Sequence, residues 1–173
     1  KSKRNLIVPN LWVCNASPLI LLNRIGQLIL LTELCETLVI PKAVTDEVLR
    51  SKEYPLVWEA FFASPRIKKS EIAVPIDPAI AGWDLGKGES EVLSYAVAHS
   101  GSEAILDDLA ARKCARSLGI PLRGTVGIIL LAKKKNQISK ASPLIQSLID
   151  AGLRCDIKWI NEALELIGEE LGS

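Results

Sequence analysis

The sequence predicts an α/β fold, a three-layer α/β/α sandwich with a central parallel sheet, and three observations carry that prediction. Leu11–Cys14 (LWVC), Thr37–Ile40 (TLVI) and Ala104–Leu106 (AIL) are short apolar runs without alternation, the pattern of strands covered on both faces by helices. Each run gives way to polar residues and then to a longer segment of helical character, and such alternation implies parallel strands joined by helical crossovers. With 173 residues, 49% of them hydrophobic and 24% charged, the chain is one globular domain, residues 1–173 with a core from about 11 to 166, and not a disordered segment.

The first strand ends in Asn15-Ala16-Ser17-Pro18, where Ser17 has the chemistry of a helix cap and Pro18 suits a first turn. The spacing predicts a helix over Pro18–Ile25, stopped by Gly26, and a second over Gln27–Cys35. Leu28, Ile29, Leu30, Leu31 and Leu34 cover more than one helical stripe, so this pair is either deeply buried or partly a subunit interface. After the second strand, Pro41 opens a helix running to Arg50 with Asp46 and Glu47 on it. Tyr54–Ala63 reads as a helix whose Trp58, Phe61 and Phe62 share a packing face. Arg66–Val74 fits strand or loop, and Asp77-Pro78 starts a turn or short helix.

Leu85-Gly86-Lys87-Gly88-Glu89-Ser90 is a glycine-rich turn leading into a helix over Glu89–His99. Leu109–Leu118 is a helix ended by Gly119, and Ile120–Leu122 is a fourth strand. Helices over Thr125–Lys135, Ser142–Ala151 and Asp156–Leu166 complete the chain, the first of them closing in three lysines that suit its carbonyl end.

Composition narrows the function classes. A formal net charge of +1 provides no global field for a polyanion, so any nucleic-acid site must be a local patch. The cysteines Cys14, Cys35, Cys114 and Cys155 are widely spaced and His99 is the single histidine, which argues against zinc and for a reducing, cytoplasmic setting. The basic Lys1-Ser2-Lys3-Arg4 start is followed by Pro9-Asn10 without a small-residue cleavage site, unlike a secretory signal. No apolar run approaches the roughly 18 residues of a membrane span.

The chemistry lies in the polar residues that follow strands or open helices: Asn15 and Ser17, Glu47, Glu89, and Asp107 with Asp108. Strand ends of a parallel sheet share one edge, where open α/β folds bind ligands. Carboxylates converging there repel one another unless protonated or bridged by a cation. Oxygen-only ligands select Mg²⁺ or Mn²⁺, and such ions assist phosphodiester hydrolysis. The adjacent pair Asp107-Asp108 exceeds what one helix cap needs. Arg112, one turn beyond Asp108, is a candidate phosphate contact, and Lys113, Arg116, Arg123 and Lys133–Lys135 add basic character late in the chain. Gly86-Lys87-Gly88 lacks the P-loop spacing, no G-x-S-x-G elbow is present, and His99 reads as a helix-end residue.

Asn15-Ala-Ser17-Pro-Leu after the first strand, Ile40-Pro41 with Val44 and Glu47, Gly86-Lys-Gly88-Glu89, Asp107-Asp108 with Arg112, and Gly124-Thr-Val-Gly127 together resemble a PIN domain. The likeness is greatest to the VapC-type toxins of prokaryotic toxin-antitoxin pairs and covers about Leu11 to Leu166. The resemblance implies a Rossmann-like sandwich and a Mg²⁺- or Mn²⁺-dependent endoribonuclease. Its catalytic acids would be Glu47, Glu89, Asp107 and Asp108; its metal ligands Asn15, Glu47, Glu89 and Asp108; its substrate contacts Ser17 and Arg112. It also implies RNA as substrate, homodimers, and an antitoxin that blocks the site. One departure bears on activity: PIN nucleases generally carry Asp where Asn15 stands, and the amide removes one negative charge from the cluster while keeping a carbonyl oxygen for a cation. The alternative is therefore a weak or inactive PIN-fold module that binds RNA or a protein partner.

Overall fold

The computed structural model describes residues 10–51 and 53–172; the basic Lys1–Arg4 start lies outside them. Five strands, β1 (Leu11–Cys14), β2 (Thr37–Ile40), β3 (Ile67–Lys69), β4 (Glu103–Ile105) and β5 (Leu122–Arg123), form one sheet in the order β3-β2-β1-β4-β5. Every pairing is parallel, with Trp12 opposite Leu38 on one side and Glu103 on the other. Successive side chains of a strand point to opposite faces, and Trp12, Val13 and Cys14 are all buried. Both faces of the sheet centre are therefore covered, as a three-layer sandwich requires.

The helices are α1 (Ala16–Arg24), α2 (Leu30–Leu34), α3 (Lys42–Arg50), α4 (Pro55–Phe62), α5 (Pro78–Ala81), α6 (Lys87–Ala98), α7 (Leu109–Ser117), α8 (Thr125–Lys134), α9 (Ser142–Asp150) and α10 (Ile157–Glu165). From β1 the chain winds outward through β2 to β3, then returns to the other side of β1 for β4 and β5. The order reverses between β1 and β4, which opens a crevice past their carboxyl ends. Asn15 follows β1 directly and Asp107 lies two residues past β4.

Several boundaries differ from the sequence expectation for identifiable reasons. Helix α1 starts at Ala16, so Asn15 and not Ser17 holds the N-cap position, and Pro18 is buried within the first turn, where the missing N–H is not needed. The ambiguous Arg66–Val74 segment supplies the edge strand β3, whose only large apolar residue is Ile67 and whose Lys68 and Lys69 are exposed. Strand β5 falls at Leu122–Arg123, later than Ile120–Leu122, because the Ile120 N–H closes α7 onto the Ala115 carbonyl.

The apolar excess of Leu19–Leu34 is absorbed by the core: Leu19, Leu21, Leu22, Leu28, Leu30, Leu31 and Leu34 are buried, and Ile29 is the large exception at 59% exposed. Most of the stretch is thus deeply buried, the first of the two readings its composition allows. Trp58 is buried and packs edge-on to Phe61 and stacked on Phe62, so these aromatics are packing residues. His99 ends α6, with its ring stacked on Tyr95 at 3.9 Å and Nδ1 on the Tyr95 carbonyl.

One buried acid sets the placement of α3. Pro41 occupies the N-cap position of α3 and offers no side-chain cap; instead Glu91 of α6, 1% exposed, accepts the Ala43 N–H at 3.0 Å through Oε2. A carboxylate at a helix N-terminus satisfies an orphan donor and meets the positive end of the dipole. Glu91→Ala leaves that N–H buried without a partner, and urea unfolding should show a loss of about 1–3 kcal/mol; an unchanged unfolding midpoint would contradict the assignment.

Candidate active site

The crevice is built around Asn15. Its backbone N–H donates to the Ile105 carbonyl at 3.1 Å, prolonging the β1–β4 pairing by one step. Its side chain is buried and does not cap α1. Instead Nδ2 donates to Glu89 Oε1 at 2.9 Å, while Oδ1 is buried with no hydrogen-bond partner. Glu89 lies in the first turn of α6, where the positive end of the helix dipole favours a carboxylate.

Gly88 explains how Asn15 and the acids come so close. A methyl group at that position would lie 2.8 Å from Asn15 Oδ1 and 3.5 Å from both Glu47 Oε2 and Val44 Cγ2. Only a residue without a side chain leaves this space to oxygen atoms. Glu47 reaches the site from α3, whose Ala43, Val44 and Val48 are buried. Loss of hydration, then the charge of Glu89, push the Glu47 carboxyl above its ordinary pKa, with Arg50 opposing.

The two aspartates separate into different roles. Asp107 accepts from Thr125 twice, Oδ1 from the backbone N–H at 2.8 Å and Oδ2 from Oγ1 at 2.6 Å, and Ser17 Oγ approaches Oδ2 at 3.5 Å. Asp108 is exposed and caps α7 by accepting the Ala111 N–H at 2.8 Å. Arg112 donates from Nη1 to the Leu106 carbonyl at 3.2 Å. A methyl group at Gly124 would fall 2.5 Å from an Arg112 guanidinium nitrogen and 3.2 Å from Asp107 Oδ1, so this glycine lets cation and carboxylate share one wall. Burial lowers the Arg112 pKa, as does the charge of Arg116, and Asp107 opposes both.

The structure thus gathers Asn15, Glu47 and Glu89 around Gly88, and Asp107, Ser17 and Arg112 around Gly124. Thr125, noted in the sequence only within Gly124-Thr-Val-Gly127, and Glu91, not noted there, complete the surroundings. The signal for Thr125 was its place at the start of α8, two residues past β5; Glu91 carried none, because its partner is 48 residues away.

Over residues 11–169 the chain matches the family model DUF3368, described as a PIN domain. The chain belongs to the PIN-domain family. No curated protein matches it. The PIN fold is a nuclease-type fold, and PIN nucleases generally use divalent metals. Among the described residues no helix is long and apolar enough to cross a membrane.

The donor set fits a divalent cation. Among the described residues no three Asp, Glu, His or Cys side chains form a metal-binding group, and in this crevice an amide accompanies Glu47 and Glu89. Two features nevertheless match what a hard cation supplies. Asn15 Oδ1 is a buried acceptor that no protein donor satisfies, and Glu47 bears the electrostatic load of Glu89, which a nearby positive charge would relieve.

The raised Glu47 pKa has a stability consequence of definite sign. The folded protein holds that proton more tightly than the unfolded chain, so the stabilisation is fully present below the ordinary carboxylate pKa and is lost as pH rises through the raised value. In chelator, Glu47→Gln should therefore raise the melting temperature at neutral pH and have little effect in acid. The gain should stay below about 1 kcal/mol, because the exposed side chain is screened by solvent. A destabilisation at neutral pH would contradict the crowding of Glu47 by Glu89.

Proposed function

We propose that this PIN domain is a divalent-cation-dependent endoribonuclease, with Mg²⁺ or Mn²⁺ held by Asn15, Glu47 and Glu89 and with Asp107 on the facing wall. The observation that carries the reading is the unpartnered, buried Asn15 Oδ1 beside two mutually repelling carboxylates. Oxygen donors of this kind favour Mg²⁺ or Mn²⁺ over softer metals. When bound, such a cation supplies Lewis-acid polarisation of water and of the phosphodiester.

The chain's own residues would do the rest. Asn15 ties Glu89 in place through Nδ2 and presents a neutral oxygen. Glu47 and Glu89 bring negative charge. Asp107, held through both oxygens by Thr125, is a fixed acceptor for a proton or for a hydrated ion. Ser17 and Arg112 flank it, and the guanidinium offers a donor to a phosphate oxygen. In this reading Asp107 is the working acid, because it is the aspartate that adjoins Arg112 across Gly124 and approaches Ser17, while Asp108 caps α7 through Oδ1. A toxin role, an antitoxin that covers the crevice and a homodimer extend the reading and rest on the likeness to VapC-type proteins, and a cytoplasmic site of action rests on the widely spaced cysteines.

A second reading has its own observation. Asn15 is neutral, and both oxygens of Asp107 are already hydrogen-bonded within the protein, so the crevice is partly satisfied without a cation. A module of this kind would bind RNA or a protein partner without cutting.

One experiment separates the two. Purified protein is incubated with labelled RNA in Mn²⁺ and in chelator, alongside Glu89→Gln and Asn15→Asp. The nuclease reading expects cleavage in Mn²⁺ alone, its near-complete loss in Glu89→Gln, and a lower Mn²⁺ requirement in Asn15→Asp, where a charged ligand replaces a neutral one of nearly the same shape. Equal cleavage in chelator, or no cleavage by either the parent or Asn15→Asp, would overturn it.

A further inference from the structure

Helix α7 carries on its outer side a stripe that the cation-binding residues do not use. Leu109, Arg112 and Arg116 stand at i, i+3 and i+7, which places them along one face of the helix. Leu109 is 64% exposed in the first turn, Arg112 is half-buried, and Arg116 and the adjacent Lys113 are exposed. The inner side of α7, formed by Ala111, Cys114 and Ala115, is buried in the core.

Among the described residues the cations of this stripe, Arg112, Lys113 and Arg116, are free of close ion pairs, and Arg112 alone has an acid beside it, Asp107 across Gly124. Arg116 lies near enough for its charge to oppose that of Arg112. Like charges one turn apart destabilise a helix. The negative end of the dipole accounts for Arg116 in the last turn, but not for Arg112, which sits toward the positive end. The stripe begins at the acidic crevice, where Arg112 bonds the Leu106 carbonyl and adjoins Asp107 across Gly124. Because the whole chain carries a net charge of only +1, a local strip must supply the attraction for a polyanion.

We propose that this face of α7 is the track for a single RNA strand as it leaves the crevice. Arg112 takes the phosphate nearest the acids and Arg116 takes the next, about one helical turn (~5.4 Å) further along the axis. Lys113 adds positive charge beside them, and Leu109 packs against a sugar or base at the mouth. A single row of cations on one helix follows one backbone, whereas a duplex presents two. The proposal rests on the ribonuclease reading for the identity of the polyanion.

The test measures binding without cleavage. A fluorescent single-stranded oligoribonucleotide is titrated in chelator against the parent, Arg116→Gln and Lys135→Gln, at several salt concentrations, using anisotropy. Lys135 lies at the far end of α8, ten residues from Thr125 and so about 15 Å from the crevice. Arg116→Gln should weaken binding severalfold and lower the slope of log K against log salt by about 0.7, the loss of one phosphate contact on a single strand. Lys135→Gln should change neither, and the melting temperatures of both variants should match the parent. Unchanged affinity and slope in Arg116→Gln, an equal loss in Lys135→Gln, or tighter binding of duplex than of single strands would overturn the track. If Arg116 governs binding but the parent cuts no RNA in Mn²⁺, the track stands and the nuclease reading falls. If the parent cuts RNA while Arg116→Gln binds as well as the parent, only the track falls.

Discussion

The hydrogen bond from Asn15 Nδ2 to Glu89 Oε1 joins the centre of the sheet to the first turn of α6, and the rest of the crevice is arranged about it. On the sheet side, the Asn15 backbone is fixed by the Ile105 carbonyl as the last step of the β1–β4 pairing. On the helix side, α6 in turn fixes α3 through the Glu91 cap on Ala43. Glu47 is thus positioned through two successive contacts that begin at Asn15. Gly88 is the steric condition for all of this, because any side chain there would displace the amide oxygen.

Charge balance explains why an amide is tolerated at the centre. An aspartate at position 15 would place a third carboxylate against Glu89, where Asn15 now donates a hydrogen bond to it, and would add repulsion to a cluster in which burial first, and Glu89 second, already raise the Glu47 pKa. The amide therefore stabilises the crevice where no cation is bound, and the proposed cation site would hold its ion less tightly than one with a charged oxygen at that position. The second wall follows a different principle. Asp107 is held by a backbone N–H and a hydroxyl at the start of α8, donors that fix an acid without neutralising its charge, and Arg112 adds a positive charge on the same wall.

The strands β1, β2 and β4 were legible because burial on both faces leaves uninterrupted apolar runs. Strand β3 was not, because an edge strand needs little burial and here follows Ile67 with two exposed lysines. Among the acids, the sequence showed Asp107 and Asp108 to be unusual but could not divide them. The division depends on partners: Thr125, 18 residues away, for Asp107, and the first turn of α7 for Asp108. Glu91 was invisible for the same reason, since a buried carboxylate paired across 48 residues has no local pattern. The leucine-rich stretch from Leu19 to Leu34 allowed either deep burial or a subunit interface on composition alone, and tertiary burial takes up most of its leucines.

The claim at the centre of this account is that Asn15, Glu47 and Glu89 together form a cation site despite the missing third carboxylate. Diffraction from crystals soaked in Mn²⁺, recorded for its anomalous signal, tests it most directly. The account predicts a manganese peak in direct contact with Asn15 Oδ1 and with carboxylate oxygens of Glu47 and Glu89. A crevice without such a peak at saturating Mn²⁺, or a peak held by other residues while Asn15 Oδ1 stays unliganded, would contradict it.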